Sequence, residues 1–217
     1  MTKTEVLQRI WHTGIIPVLR ARRSEDAEAI AHAVKAGGVP VLEITMTVPG
    51  ALEVIHRLVA TFGDAVLVGA GTVLDAETAR ACILAGAQYI VTPSLKLATI
   101  EMCHRYSVPV FPGALTPTEV VAAWEAGADA VKVFPCGSMG GAKYIKSLKA
   151  PLPQVELVPT GGVSLATAAE YLAAGSFALG VGADLIDGDA ASPEKLGSIS
   201  ENARKYMEVV RKHRPVA

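Results

Sequence analysis

Short apolar runs alternate with longer mixed segments along the whole chain. One arrangement recurs: "KAGGVPVLEI", "LAGAQYIV", "EAGADAVKVF" and "AAGSFALGV". In each, Ala-Gly closes a stretch of helical periodicity, and an apolar run too short for a helix follows. Glycine just past a helix end supplies the left-handed turn that stops it. Repeated helix–glycine–strand units predict a parallel sheet whose strands are joined by crossover helices.

The periodicity places strands at 15–20, 40–45, 66–70, 88–92, 108–112, 129–134, 155–159 and 177–181. Helices are predicted at 24–36, 50–62, 75–85, 95–105, 116–126, 141–149, 164–174 and 193–211, with an extra amphipathic helix in "MTKTEVLQRIWHTG". Eight strands, each followed by a helix, predict an α/β fold: a single-domain (β/α)8 barrel over 1–217 with an extra N-terminal helix. The rival, an open doubly wound sheet, usually carries a glycine-rich phosphate turn after its first strand. Here that position reads "VLRARRSEDAE", without glycine.

Composition narrows the function classes. Apolar residues make up 51% and charged residues 19% of 217, enough for a large core. A net charge of −1 offers no electrostatic basis for nucleic acid or an anionic membrane as partner. The N-terminal segment has spaced apolar residues and a charged first turn, unlike a secretory signal, and no run reaches membrane-spanning length. Three cysteines, Cys82, Cys103 and Cys136, without a Cys-x-x-Cys, fit a reducing cytoplasm better than a disulfide framework.

One residue is out of place. Lys132 stands in "DAVKVFP" among Val131, Val133 and Phe134, where an unpaired ammonium is costly to desolvate. Barrel active sites lie at the C-terminal strand ends, and that is where the chemistry-bearing residues collect: Arg20, Glu43, Thr72, Pro93, Lys132, Phe134 and Thr160. Apolar surroundings favour the neutral form of an amine, which attacks carbonyl carbon to form a Schiff base. Glu43, alternating with Thr45 on one strand face, is the candidate acid/base. A structural ion pair, with Lys132 reaching out from an edge strand, is the plain alternative.

"PTGGVS" follows the seventh strand and opens a helix, and "GVGADL" follows the eighth. Glycines there allow close backbone approach, and barrels often hold phosphate in these loops. Ordinary turn chemistry explains them equally well. Neither "GVGADL" nor "GAGTVL" completes a dinucleotide fingerprint, and "GSMGGAKY" lacks the Ser or Thr of a P-loop. His12, His32, His56, His104 and His213 all fall in predicted helices without ligand spacing, so no metal or other cofactor is expected. Glu43 stands alone among strand-end acids, which argues against a magnesium-dependent lyase.

"VLEIT", "VGAGTV", "VKVFP" with a following "GG", and "VPTGGVS" occur in an order and spacing that resembles the 2-keto-3-deoxy-6-phosphogluconate aldolases over nearly the whole chain. The resemblance implies a class I lyase on a homotrimeric barrel that splits its substrate into pyruvate and D-glyceraldehyde 3-phosphate. It implies Lys132 as Schiff-base lysine, Glu43 as general acid/base and Thr72 as a pyruvate contact. Thr160, Gly161, Gly162, Gly182 and Ala183 fall at its phosphate end. Many members carry an arginine four residues after the glutamate; here that position is Thr47, and Arg20 is expected to hold the carboxylate in its place. The phosphate-end serine is Ala183, followed by Asp184, which leaves 4-hydroxy-2-oxoglutarate, the phosphogalactonate epimer or a non-phosphorylated 2-keto acid as alternative substrates. A metal-free sugar-phosphate isomerase or synthase using Glu43 as base, and a non-catalytic sugar-acid binding protein, are the readings from other classes.

Overall fold

A computed structural model describes residues 1–186 and 191–214; the remainder of the expected 1–217 unit lies outside the described residues. The architecture is α/β with parallel strands. Helix α1 (Lys3–Thr13) leads into β1 (Ile15–Leu19), α2 (Ser24–Ala36), β2 (Val41–Thr45), α3 (Ala51–Phe62) and β3 (Leu67–Gly71). Then come α4 (Ala76–Leu84), β4 (Ile90–Val91), α5 (Leu97–Arg105), β5 (Val110–Phe111), β6 (Gly113–Ala114) and α6 (Pro117–Glu125). The rest is β7 (Val131–Val133), α7 (Ala142–Lys149), β8 (Leu157–Pro159), α8 (Ala168–Ala173), β9 (Leu179–Val181) and α9 (Pro193–His213).

Parallel pairing runs from β9 through β1, β2, β3 and β4 to β5, and separately from β6 through β7 to β8. A bridge from Thr160 to Gly180 connects the end of β8 to β9. The strand expected at 108–112 is two pieces about Pro112, which has no N–H to donate and interrupts the ladder. Pro112 still accepts from Lys132 N at 2.9 Å, so the break leaves β7 in register. The last strands are shorter than the apolar runs that announce them: β7 begins at Val131 and β8 at Leu157, although Asp129 N–H already donates to the Val110 carbonyl at 3.1 Å. The helix expected at 164–174 starts only at Ala168, because Ser164 N–H donates to Thr167 Oγ1 (3.0 Å) and holds a turn there.

The two strand faces bury different things. Outward residues such as Leu42, Ile44, Val68, Val131 and Val133 join the large cluster under the helices. Inward residues Ile16, Val41, Leu67, Tyr89, Phe111 and Val158 form a second cluster, closed at its base by Val6 and Ile10 of α1. Two residues further along, the inward face changes character: Val41 gives way to Glu43, Leu67 to Gly69, Ala130 to Lys132 and Val158 to Thr160. The apolar layer is the floor on which the site stands.

Candidate active site

Lys132 and Glu43 meet on that inner face, 5% and 2% exposed. Lys132 Nζ lies 3.9 Å from Glu43 Oε1, an ion-pair distance too long for a hydrogen bond. Glu43 Oε1 is fully enclosed and has no hydrogen-bond partner among the described residues. Burial raises the Glu43 carboxyl above the ordinary carboxylate range, against the opposing pull of the Lys132 and Arg20 charges. A carboxyl so placed keeps its proton to higher pH than an exposed one does. Phe134 flanks the amine, its ring centroid 5.5 Å from Nζ.

Glycines make the space. A Cβ on Gly71 would stand 1.9 Å from Glu43 Oε1, and one on Gly69 would stand 2.3 Å from the Tyr89 ring. A Cβ on Gly113, the register partner of Lys132, would strike the Pro93 backbone at 2.2 Å. A Cβ on Gly180 would lie 2.2 Å from Thr160 Oγ1. Gly113 stands among the strand-end residues of the sequence, but Gly69, Gly71 and Gly180 were not singled out; their signal was a period of two, Gly69 and Gly71 falling in step with Leu67 on one face. Tyr89 was also missed. It is fully buried, donates to the Leu42 carbonyl at 2.6 Å and braces the strand that carries Glu43.

The expected binding residues divide into two groups. Arg20, Thr160, Gly161, Gly162, Gly182 and Ala183 line one cavity of about 520 Å³. Lys132 and Glu43 are not among its walls, but their neighbours are: Val18 is the register partner of Glu43, and Thr160 N–H donates to the Val133 carbonyl at 2.9 Å. Phe134 stands instead beside Lys132, and Pro93 backs Gly113, the register partner of Lys132. Thr72 follows Gly71 and holds a positive φ of 57°, an uncommon backbone state for threonine. Thr47 forms no part of the cavity wall; its hydroxyl lies 2.7 Å from that of Thr45, which donates to the Leu19 carbonyl at 3.0 Å.

The family model for KDPG and KHG aldolase matches residues 6–202. The chain belongs to this family. Among its relatives, the 2-dehydro-3-deoxy-phosphogluconate aldolase of Treponema pallidum is 38% identical over 80% of both chains. The 2-dehydro-3-deoxy-6-phosphogalactonate aldolase of Escherichia coli K12 is 35% identical over 92% of this chain and 98% of its own. The KDPG aldolase of Legionella pneumophila, solved with pyruvate captured as a covalent carbinolamine, superposes with a TM-score of 0.84 at 29% identity, over 91% of this chain and 96% of its own. As an aldolase-family chain it needs a nucleophile and a proton carrier, and the buried amine and carboxyl are side chains of those types.

Proposed function

We propose that this aldolase cleaves 2-keto-3-deoxy-6-phosphogluconate to pyruvate and D-glyceraldehyde 3-phosphate through a Schiff base on Lys132. The observation that carries the proposal is the burial of Lys132 Nζ 3.9 Å from a Glu43 oxygen that has no hydrogen-bond partner among the described residues. The unprotonated amine of Lys132 adds to the C2 ketone, and Glu43 delivers the proton that lets the C2 oxygen leave as water. The resulting iminium draws the electrons of the C3–C4 bond. As the C4 hydroxyl yields its proton to Glu43, the bond breaks, the aldehyde departs and an enamine remains. Protonation of C3 and hydrolysis of the imine release pyruvate and restore the lysine.

In this reading Phe134 and Pro93 exclude water around the amine, and Thr72 contacts the pyruvate portion. Arg20, whose charge reaches Glu43, holds the carboxylate. The turns at Thr160–Gly162 and Gly182–Ala183 receive the far end of the substrate. The phosphogalactonate epimer is the second reading, supported by the E. coli relative at 35% identity. We further infer one (β/α)8 unit over 1–217, its eighth and ninth strand segments closing on β1. A cytoplasmic homotrimer completes the reading. Exposed Leu52, Leu74 and Leu97, at or just before the N-terminal ends of α3, α4 and α5, supply apolar surface on the active-site rim for subunit contact. No helix among the described residues is long and apolar enough to cross a membrane.

Borohydride reduction in the presence of pyruvate tests the chemistry. Peptide mapping is expected to find the adduct on Lys132, and Lys132→Ala is expected to form none and to lose at least about a thousandfold in turnover. An adduct elsewhere, or wild-type turnover without the lysine, rejects the mechanism.

A further inference from the structure

Asp184 stands at the edge of the cavity, on the turn after β9, and read from sequence it is an acid that would repel an anionic group. In the fold its carboxylate has another task. Its Oδ2 accepts from Leu165 N–H at 3.0 Å and from the Tyr206 hydroxyl at 2.6 Å. Leu165 lies three residues beyond Gly162 on the segment that joins β8 to α8, and Tyr206 is fully buried in the middle of α9. One oxygen therefore ties together the turn after β8, the turn after β9 and the long C-terminal helix. Both turns wall the same cavity.

On its other side the Gly161–Gly162 turn is held by the Gly137 N–H, which donates to the Gly161 carbonyl at 2.8 Å. Both glycines have positive φ, 83° and 80°, so the turn has little conformational preference of its own and depends on such outside contacts. We infer that Asp184 is a positioning residue, which holds the two glycine turns at the spacing that binds the far end of the substrate. The inference rests on the aldolase reading and deepens it: Asp184 governs affinity for the aldehyde-side portion and leaves the amine chemistry alone.

Three variants separate positioning from charge. Asp184→Ala removes both accepted bonds. Asp184→Asn keeps a carbonyl oxygen able to accept both and removes the charge. Tyr206→Phe removes one donor. Cleavage of 2-keto-3-deoxy-6-phosphogluconate is measured beside borohydride trapping of pyruvate, which does not extend to the distal turns. Asp184→Ala is expected to raise KM at least tenfold while the trapping rate stays within twofold. Asp184→Asn is expected to recover KM to within threefold of wild type, and Tyr206→Phe to fall between them. The inference is overturned if KM is unchanged in Asp184→Ala and Tyr206→Phe, if trapping falls in step with cleavage, or if removing the charge in Asp184→Asn lowers KM. Should Asp184→Ala fail to fold, the other two variants decide. If wild type itself forms no pyruvate adduct, the aldolase reading has failed; titration with inorganic phosphate then tests Asp184 separately, with tenfold weaker binding expected in Asp184→Ala and not in Asp184→Asn, and equal binding in both rejecting the inference.

Discussion

Lys132 and Glu43 are each a poor choice for a folded interior, and in the proposed reaction they work as a pair. Desolvation raises the Glu43 carboxyl, so the folded chain binds a proton there more tightly than the unfolded chain does. As pH rises above the ordinary value of 4.5, the unfolded state gives up that proton first, and folding stability falls. Glu43→Gln removes this linkage. Its thermal midpoint relative to wild type is therefore expected to rise between pH 4.5 and pH 8, while turnover drops by about 10²–10⁴ through loss of the proton carrier. A midpoint difference that stays flat or moves the other way contradicts the raised carboxyl. The anomaly at Lys132 was legible in sequence because an ammonium group breaks a run of valines. The role of Asp184 was not, since its partner Tyr206 lies on another element and nothing in either local pattern links them.

At the scale of elements, local chemistry decides the boundaries. Helix α6 carries a capping box: Glu119 N–H donates to Thr116 Oγ1 at 3.3 Å, and Glu119 Oε2 accepts from Thr116 N–H at 2.8 Å. Thr116→Ala is expected to cost about 1 kcal/mol. The thermal midpoint should drop by about 2–4 °C with kcat unchanged, as scanning calorimetry and a cleavage assay can measure. The helices were readable because their 3.6-residue period and caps are local. The strands were readable in place and not in length: pairing depends on where a neighbour's N–H and C=O arrive, and Val110–Phe111 and Gly113–Ala114 separate only because Pro112 cannot donate.

For the whole molecule, the fold sorts the inner face by height. The lower layer, from Ile16 to Val158, is sealed by α1, and the upper layer carries the reactive pair. Exposed leucines at the starts of α3 and α5 and just before α4 stand on the same rim as the upper layer. Sedimentation equilibrium is expected to return three times the chain mass. Charged substitutions at Leu74 and Leu97 together should shift the protein toward monomer, and a wild-type monomer contradicts the trimer. The parallel α/β plan was legible from recurring Ala-Gly punctuation alone. The division of site residues between a cavity and an adjoining reactive pair was not, because it depends on how far each strand climbs relative to its neighbours.

Glu43 fits against the neighbouring strand because Gly71 contributes no side chain, and Gly69, Gly113 and Gly180 leave the same room for Tyr89, Pro93 and Thr160. This has a consequence for anyone reshaping the enzyme. Around the carboxyl and the amine, those positions are already trimmed to the minimum, so substitution there can shrink the chamber and cannot enlarge it. Under the proposed substrate placement, bulkier substrates are accommodated instead at Phe134 beside the amine or at the side chains of the turns at 161–164 and 182–184. The strand glycines move useful variation off the strand backbones and onto the side chains that surround them.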